Sequence, residues 1–174
     1  MSQSAGSSLQ PTPSKESSPR DSVPATPATI LTEESSSGKE SIATQLEHIC
    51  VGGALATNNR DFDYLKNDLW KVVTPTFRAH FENFPHPLTL AEHSNILRQT
   101  IREFPDYHVE IKSVCSQVSE DEGNAIVYME TEITGAPKNV KTYLINEFLF
   151  RREEGVWRCH HHNGMKGISD FNLL

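Results

Sequence analysis

The chain has 174 residues, 36% of them hydrophobic, with 16 Lys+Arg against 23 Asp+Glu for a formal net charge of −7, and three cysteines. That length supports one domain with a tail, since domains run to about 100–200 residues. The acidic balance argues against general binding to nucleic acid or an anionic membrane surface, and no apolar run approaches the roughly 18–20 residues of a membrane span. Met1–Gln10 lacks the basic start and apolar core of a secretory leader. Cys50, Cys115 and Cys159 show neither a disulfide framework nor metal spacing, and read as small hydrophobes in a reducing compartment. A cytoplasmic protein is expected.

Residues 1–40 hold 11 Ser and 5 of the 10 Pro, with no aromatic residue. Such a segment cannot bury enough apolar surface to offset the entropy of ordering it, so a disordered Ser/Pro-rich tail is expected, with the domain over residues 41–174. Thr12-Pro13, Ser18-Pro19 and Thr26-Pro27 fit proline-directed phosphorylation, and also the chance content of any Ser/Thr/Pro-rich tail.

Three helices come next. Ile42, Leu46 and Ile49 follow helical spacing, with Ser41 as the N-cap. A second helix starts at Asp61, with Phe62, Leu65 and Leu69 on one face, and Pro75 stops it. The third opens on a capping box, Thr89 with Glu92. Its stripe is Leu90, Leu97, Ile101 and Phe104, and Pro105 ends it. A short strand around Thr76–Phe81 could separate the second helix from the third.

From His108 the period shifts toward two. Strands are expected over His108–Val118, Ala125–Thr134, Val140–Arg152 and Val156–Gly164, with turns at Glu120–Asn124, Gly135–Pro137 and Glu153–Gly155. Helices followed by an antiparallel meander make an α+β architecture.

Alternation then assigns faces. Val140, Thr142, Leu144, Asn146, Phe148 and Phe150 share one side of the third long strand. An amide among Leu and Phe must find a partner, since burying it unpaired costs about 1–3 kcal/mol. It either projects into a ligand cavity or satisfies backbone. On the last strand, Trp157, Cys159, His161 and Asn163 share a face, which predicts His161 and Asn163 inside beside Asn146. His160 and His162 fall on the other face. As a His-x-His pair they could serve a metal, but no carboxylate follows in register, so no metal and no cofactor are expected. The chain has no glycine-rich phosphate cradle and no Gly-x-Ser-x-Gly elbow.

Several local patterns carry a resemblance. They are Asp61-Phe62-Asp63, Thr74-Pro75-Thr76-Phe77-Arg78, Phe104-Pro105-Asp106-Tyr107-His108, the Val118–Glu122 turn, Gly155-Val156-Trp157 and the ending His162–Gly167. In this order the chain, over residues 41–170, resembles the nuclear-transport-factor-2-like superfamily in its SnoaL-like and scytalone-dehydratase-like branches. The resemblance implies a cone-shaped α+β domain: three N-terminal helices packed on a strongly curved antiparallel sheet, with a pocket between. It implies His108, ten residues before Val118, as a pocket base, and Asn146, eleven before Trp157, as a pocket amide. Thr57, Asn58, Phe81 and Gly135 stand where scytalone dehydratase has a tyrosine, an acid, a second tyrosine and a second histidine, so that enzyme's dehydration apparatus is incomplete here.

The expected site therefore has His108 and Asn146 as catalytic groups sharing one chamber. Phe81, Thr142, Leu144, Trp157, His161 and Asn163 would line it. His108 would remove a proton beside a carbonyl, and Asn146, with His161 or Asn163, would donate to the enolate. The implied activity is a cofactor-independent lyase, isomerase or cyclase on a small aromatic or polyketide-like metabolite, in fungal secondary metabolism. The rival is a non-catalytic ligand-binding or dimerisation module, with Tyr128, Tyr143 and Ile145 on the open sheet face available to pair two copies.

Overall fold

The structure is a computed structural model that describes residues 40–63 and 69–167. The expected tail lies outside the described residues, as does most of the expected second helix. In chain order the described elements are α1 (Ile42–Asn58), a single helical turn α2 (Leu69–Val72), β1 (Val73–Phe81), α3 (Leu90–Glu103), β2 (His108–Ser119), β3 (Asn124–Thr134), β4 (Thr142–Glu153) and β5 (Val156–Lys166).

Both long helices start where side-chain chemistry says they should. The Ser41 hydroxyl accepts from the Thr44 amide at 3.2 Å, which satisfies one donor of the open first turn of α1. Thr89 and Glu92 close the capping box of α3: the Glu92 carboxylate accepts from the Thr89 amide at 2.8 Å, and the Thr89 hydroxyl accepts from the Glu92 amide at 3.3 Å. These bonds hold the Glu92 carboxyl below its usual range. Of the expected second helix, the described residues show helical Phe62 and Asp63 and the turn Leu69–Val72, after which Val73 opens β1. Among the described residues the helical layer is therefore two full helices and one turn, not three helices.

The sheet has five strands in the order β1-β5-β4-β3-β2. β2 to β5 form the expected antiparallel meander. β1 pairs with β5 in parallel, so the sheet is mixed where a wholly antiparallel one was expected. The β4–β5 hairpin leaves one edge of β5 with unpaired amides and carbonyls, and β1 covers it. Register shifts occur in the β1–β5, β2–β3 and β4–β5 pairings. Each such bulge bends its strand and changes which residues face the helices.

α1 packs across β2, and α3 lies against β1. The core between helices and sheet includes Leu46, Cys50, Ala79, Val127, Met129 and Phe150, all buried. The end of α1 is tied to the sheet by polar bonds. The Asn58 amide donates to the Val109 carbonyl at 2.7 Å and its carbonyl accepts from the Val109 amide at 2.8 Å. Arg60 donates to the carbonyls of Pro105 and Tyr107. No described helix is long and apolar enough to cross a membrane.

A candidate active site between helix and sheet

A cavity of about 190 Å³ opens between α1, α3 and the inner face of the sheet. Asn146 is buried in its wall on β4, in the company of Leu144, Phe148 and Phe150, as strand alternation predicted. Its amide nitrogen donates to the Met129 carbonyl at 3.2 Å and to the Thr131 hydroxyl at 3.1 Å. Its oxygen lies 3.1 Å from Nε2 of His162. A backbone carbonyl can only accept, so the amide nitrogen must face Met129 and the oxygen must face His162. An amide oxygen can only accept in turn. His162 therefore carries its proton on Nε2, and Nδ1 holds a lone pair.

His162 is part of an aromatic cluster. Its ring stacks on Phe148 with centroids 4.2 Å apart and meets Phe81 edge-on at 5.0 Å. His93, from α3, stacks on Phe81 at 5.2 Å and meets His162 edge-on at 5.6 Å. The imidazole of His93 makes no hydrogen bond to the described residues. Both rings line the cavity, and Nδ1 of His162, like the nitrogens of His93, makes no hydrogen bond to a described residue.

The wall is electrically quiet. Burial pushes His93 down to about 4, and pushes His162 well below its usual value, with His93 adding to the effect. Burial raises the Cys50 thiol and takes Cys159 and the Tyr107 hydroxyl up to about 12. All five groups are uncharged at neutral pH. No Lys, Arg, Asp or Glu stands among the described lining residues. Among the described residues no group of three or more His, Cys, Asp or Glu is placed to hold a metal ion.

The expected site residues divide. Phe81, Leu144 and Asn146 line the cavity. His108 does not: it is exposed at the start of β2, and its neighbours Tyr107 and Val109 face inward instead. The two expected catalytic groups thus do not share a chamber. Val109 and Ile111, both packed on the core, carry the alternation that puts His108 outside. Thr142 has the right face of β4 but lies beyond the cavity, half-buried opposite Ile133. Trp157 packs against the core edge with the Arg152 guanidinium 5.8 Å from its ring, outside the lining.

His161 and Asn163 face away from the cavity, a reversal with one cause. Phe150 pairs with Cys159 and Leu149 with His161, so His160 has no partner in β4 and forms a bulge. The extra residue shifts the alternation by one. Cys159 stays inside, but His162 follows it inward. His161 instead stacks on His80 and bonds His160, while Asn163 donates to Glu147 on the outer face. His160 and His162 are consequently not a same-face pair.

Asn146 also differs from expectation in what it offers. Both its donors are engaged by Met129 and Thr131 and its oxygen by His162, so it positions the imidazole rather than reaching for a ligand. His93 escaped the sequence reading, although it stands three residues after Leu90 on the inward stripe of α3. Of the positions compared with scytalone dehydratase, Thr57 lines the cavity with its hydroxyl donating to the Gly53 carbonyl at 3.0 Å. Asn58 is spent on Val109, and Gly135 occupies a turn at φ +80°.

No protein-family model matches the chain, and no curated protein matches it. Solved structures do. An uncharacterised protein with a cystatin-like fold from Caulobacter vibrioides superposes with a TM-score of 0.57 at 14% identity, covering 74% of this chain and 89% of that one. A candidate dehydratase of the NTF2-like family from Streptomyces avermitilis gives 0.54 at 15% identity, over 72% and 98%. An NTF2-like protein with a cystatin-like fold from Novosphingobium aromaticivorans gives 0.57 at 12% identity, over 74% and 83%. The architecture is thus the cystatin-like α+β fold. The chain's fold is similar to that of these NTF2-like structures, which is the fold the sequence motifs suggested.

Proposed function

We propose that the chain is a cofactor-independent lyase, isomerase or cyclase of fungal secondary metabolism, acting on a small aromatic or polyketide-like metabolite. The observation that carries this reading is the Asn146–His162 pair, 3.1 Å apart in an apolar cavity that holds a second imidazole. His162 is fixed as one tautomer with an unprotonated Nδ1, which suits it to accept a proton from carbon beside a carbonyl. Its low basicity limits it to acidic carbon–hydrogen bonds, but keeps the lone pair available at neutral pH. A neutral His93 could donate its N–H to the developing oxyanion, and His162, once protonated on Nδ1, would give back the proton it took, with burial strengthening both interactions. The Streptomyces neighbour named as a candidate dehydratase belongs to the same reaction class.

A metabolite-producing strain tests this. Gene deletion followed by untargeted profiling identifies the substrate, and purified His162→Phe and His93→Phe proteins are then assayed on it. Loss of one general acid or base costs about 100-fold or more. Unchanged turnover in both variants would leave no place for the acid–base reading.

A second reading has its own support. The cavity is smaller than the roughly 300 Å³ at which pockets for drug-sized ligands begin. A binding or dimerisation module of the same fold would then be the better description, with Tyr128, Tyr143 and the exposed Ile145 on the outer sheet face as the surface for a second copy. A cytoplasmic location is supported by Cys50, Cys115 and Cys159, which are all free thiols.

A further inference from the structure

The cavity wall specifies its ligand more narrowly than the fold does. We infer that it takes an uncharged aromatic compound of one ring bearing a hydroxyl group, which donates to Nδ1 of His162. This rests on the reading of the cavity as a small-molecule site, and gives Nδ1 a hydroxyl proton to accept where the proton-transfer reading gave it a carbon-bound one.

Size comes first. A cavity of about 150 Å³ lined by Leu, Ile and Phe is enough for benzene. At about 190 Å³ this one has room for a substituted single ring, the guest nearest in size to that precedent. Shape follows from Phe81, His93, Phe148 and His162, whose rings meet at 4.2 to 5.6 Å and offer the offset and edge-on surfaces that an aromatic guest prefers.

Charge is decided by what the described wall lacks. It has no cation to receive a carboxylate or phosphate and no carboxylate to receive an amine. An ion entering it would forfeit its hydration without a partner. The polarity of the hydrogen bond comes from a chain of forced choices. The Met129 carbonyl orients the Asn146 amide, the Asn146 oxygen takes the Nε2 proton of His162, and Nδ1 is left able only to accept. A carbonyl or ether oxygen cannot satisfy it, whereas a hydroxyl can.

Gly53 supplies a control that spares the fold. It lies on α1 in the cavity wall, and a Cβ there would meet nothing within 4 Å. Gly53→Leu therefore fills the space, while its helix propensity improves on that of Gly.

Calorimetric titration and thermal shift of the full chain at pH 7 with phenol, 4-methylphenol, anisole, benzoate, benzylammonium and 2-naphthol test the inference. The two phenols are expected to bind at least ten times more tightly than each of the other four, and Gly53→Leu is expected to abolish their binding at an undiminished melting temperature. Benzoate, benzylammonium, anisole or 2-naphthol binding within threefold of phenol would overturn the inference while leaving the small-molecule site intact. Equal binding by Gly53→Leu would place the ligand elsewhere and overturn it too. If no probe binds, the small-molecule reading falls with it.

Discussion

Asn146 on β4 and His162 on β5 are joined by a bond of 3.1 Å that ends a buried relay from the Met129 carbonyl. Each member has one orientation available to it, so the relay sets a proton position without any charge. Asn146→Ala would strand the Thr131 hydroxyl, the Met129 carbonyl and the His162 N–H. A loss of about 1–3 kcal/mol is expected, read as a lower urea midpoint at an unchanged slope. A loss under 0.5 kcal/mol would mean that water replaces the amide without cost.

The low pKa values of His93 and His162 make stability depend on acid. The unfolded imidazoles titrate near 6.5, whereas folded His93 resists protonation down to about 4 and folded His162 is also lowered. Between those limits the unfolded state binds more protons, so stability is full above about pH 6.5 and falls as pH falls. The window from 6.5 to 5 is informative, because ordinary carboxylates are still ionised there. His93→Phe and His162→Phe should each flatten the urea midpoint against pH relative to the parent. His160, lowered by partial burial and by His161, contributes in the same direction and remains in both variants. Parallel curves for parent and variants would contradict the assignment.

Gly164 makes room for Phe81. β5 pairs Gly164 with Phe81 of β1 on one side and with Asn146 of β4 on the other, and a Cβ at Gly164 would run into the Phe81 ring. Gly164→Ala is expected to cost about 1–3 kcal/mol through overpacking. Because the cost is a clash with one side chain, Phe81→Leu should relieve part of it. A double-mutant cycle checks this: the paired substitutions should fall short of additivity by more than 0.5 kcal/mol, whereas additive losses would show that the ring yields freely.

His108 serves as the counter-test. It is exposed and outside the cavity, so His108→Ala should change stability by less than about 0.5 kcal/mol and leave ligand affinity unaltered. A tenfold loss of affinity, measured by the same titration, would return His108 to the site.

Much of this protein follows from short-range chemistry that any reader of the chain can apply. Ser41 and the Thr89–Glu92 box start helices because open amides need acceptors close by in sequence. Val127, Met129 and Thr131 on β3, and Leu144, Asn146 and Phe148 on β4, face inward because the pleat repeats every two residues and neither strand slips within its shared ladder. What tertiary structure alone decided is where that period breaks and who meets across it. The bulge at His160 lies where β5 is paired with β4 on one edge and β1 on the other, and that single unpaired residue exchanged His161 for His162 in the wall. The partnership of His93 with His162 likewise joins a helix to a strand about seventy positions away, a distance over which periodicity carries no phase.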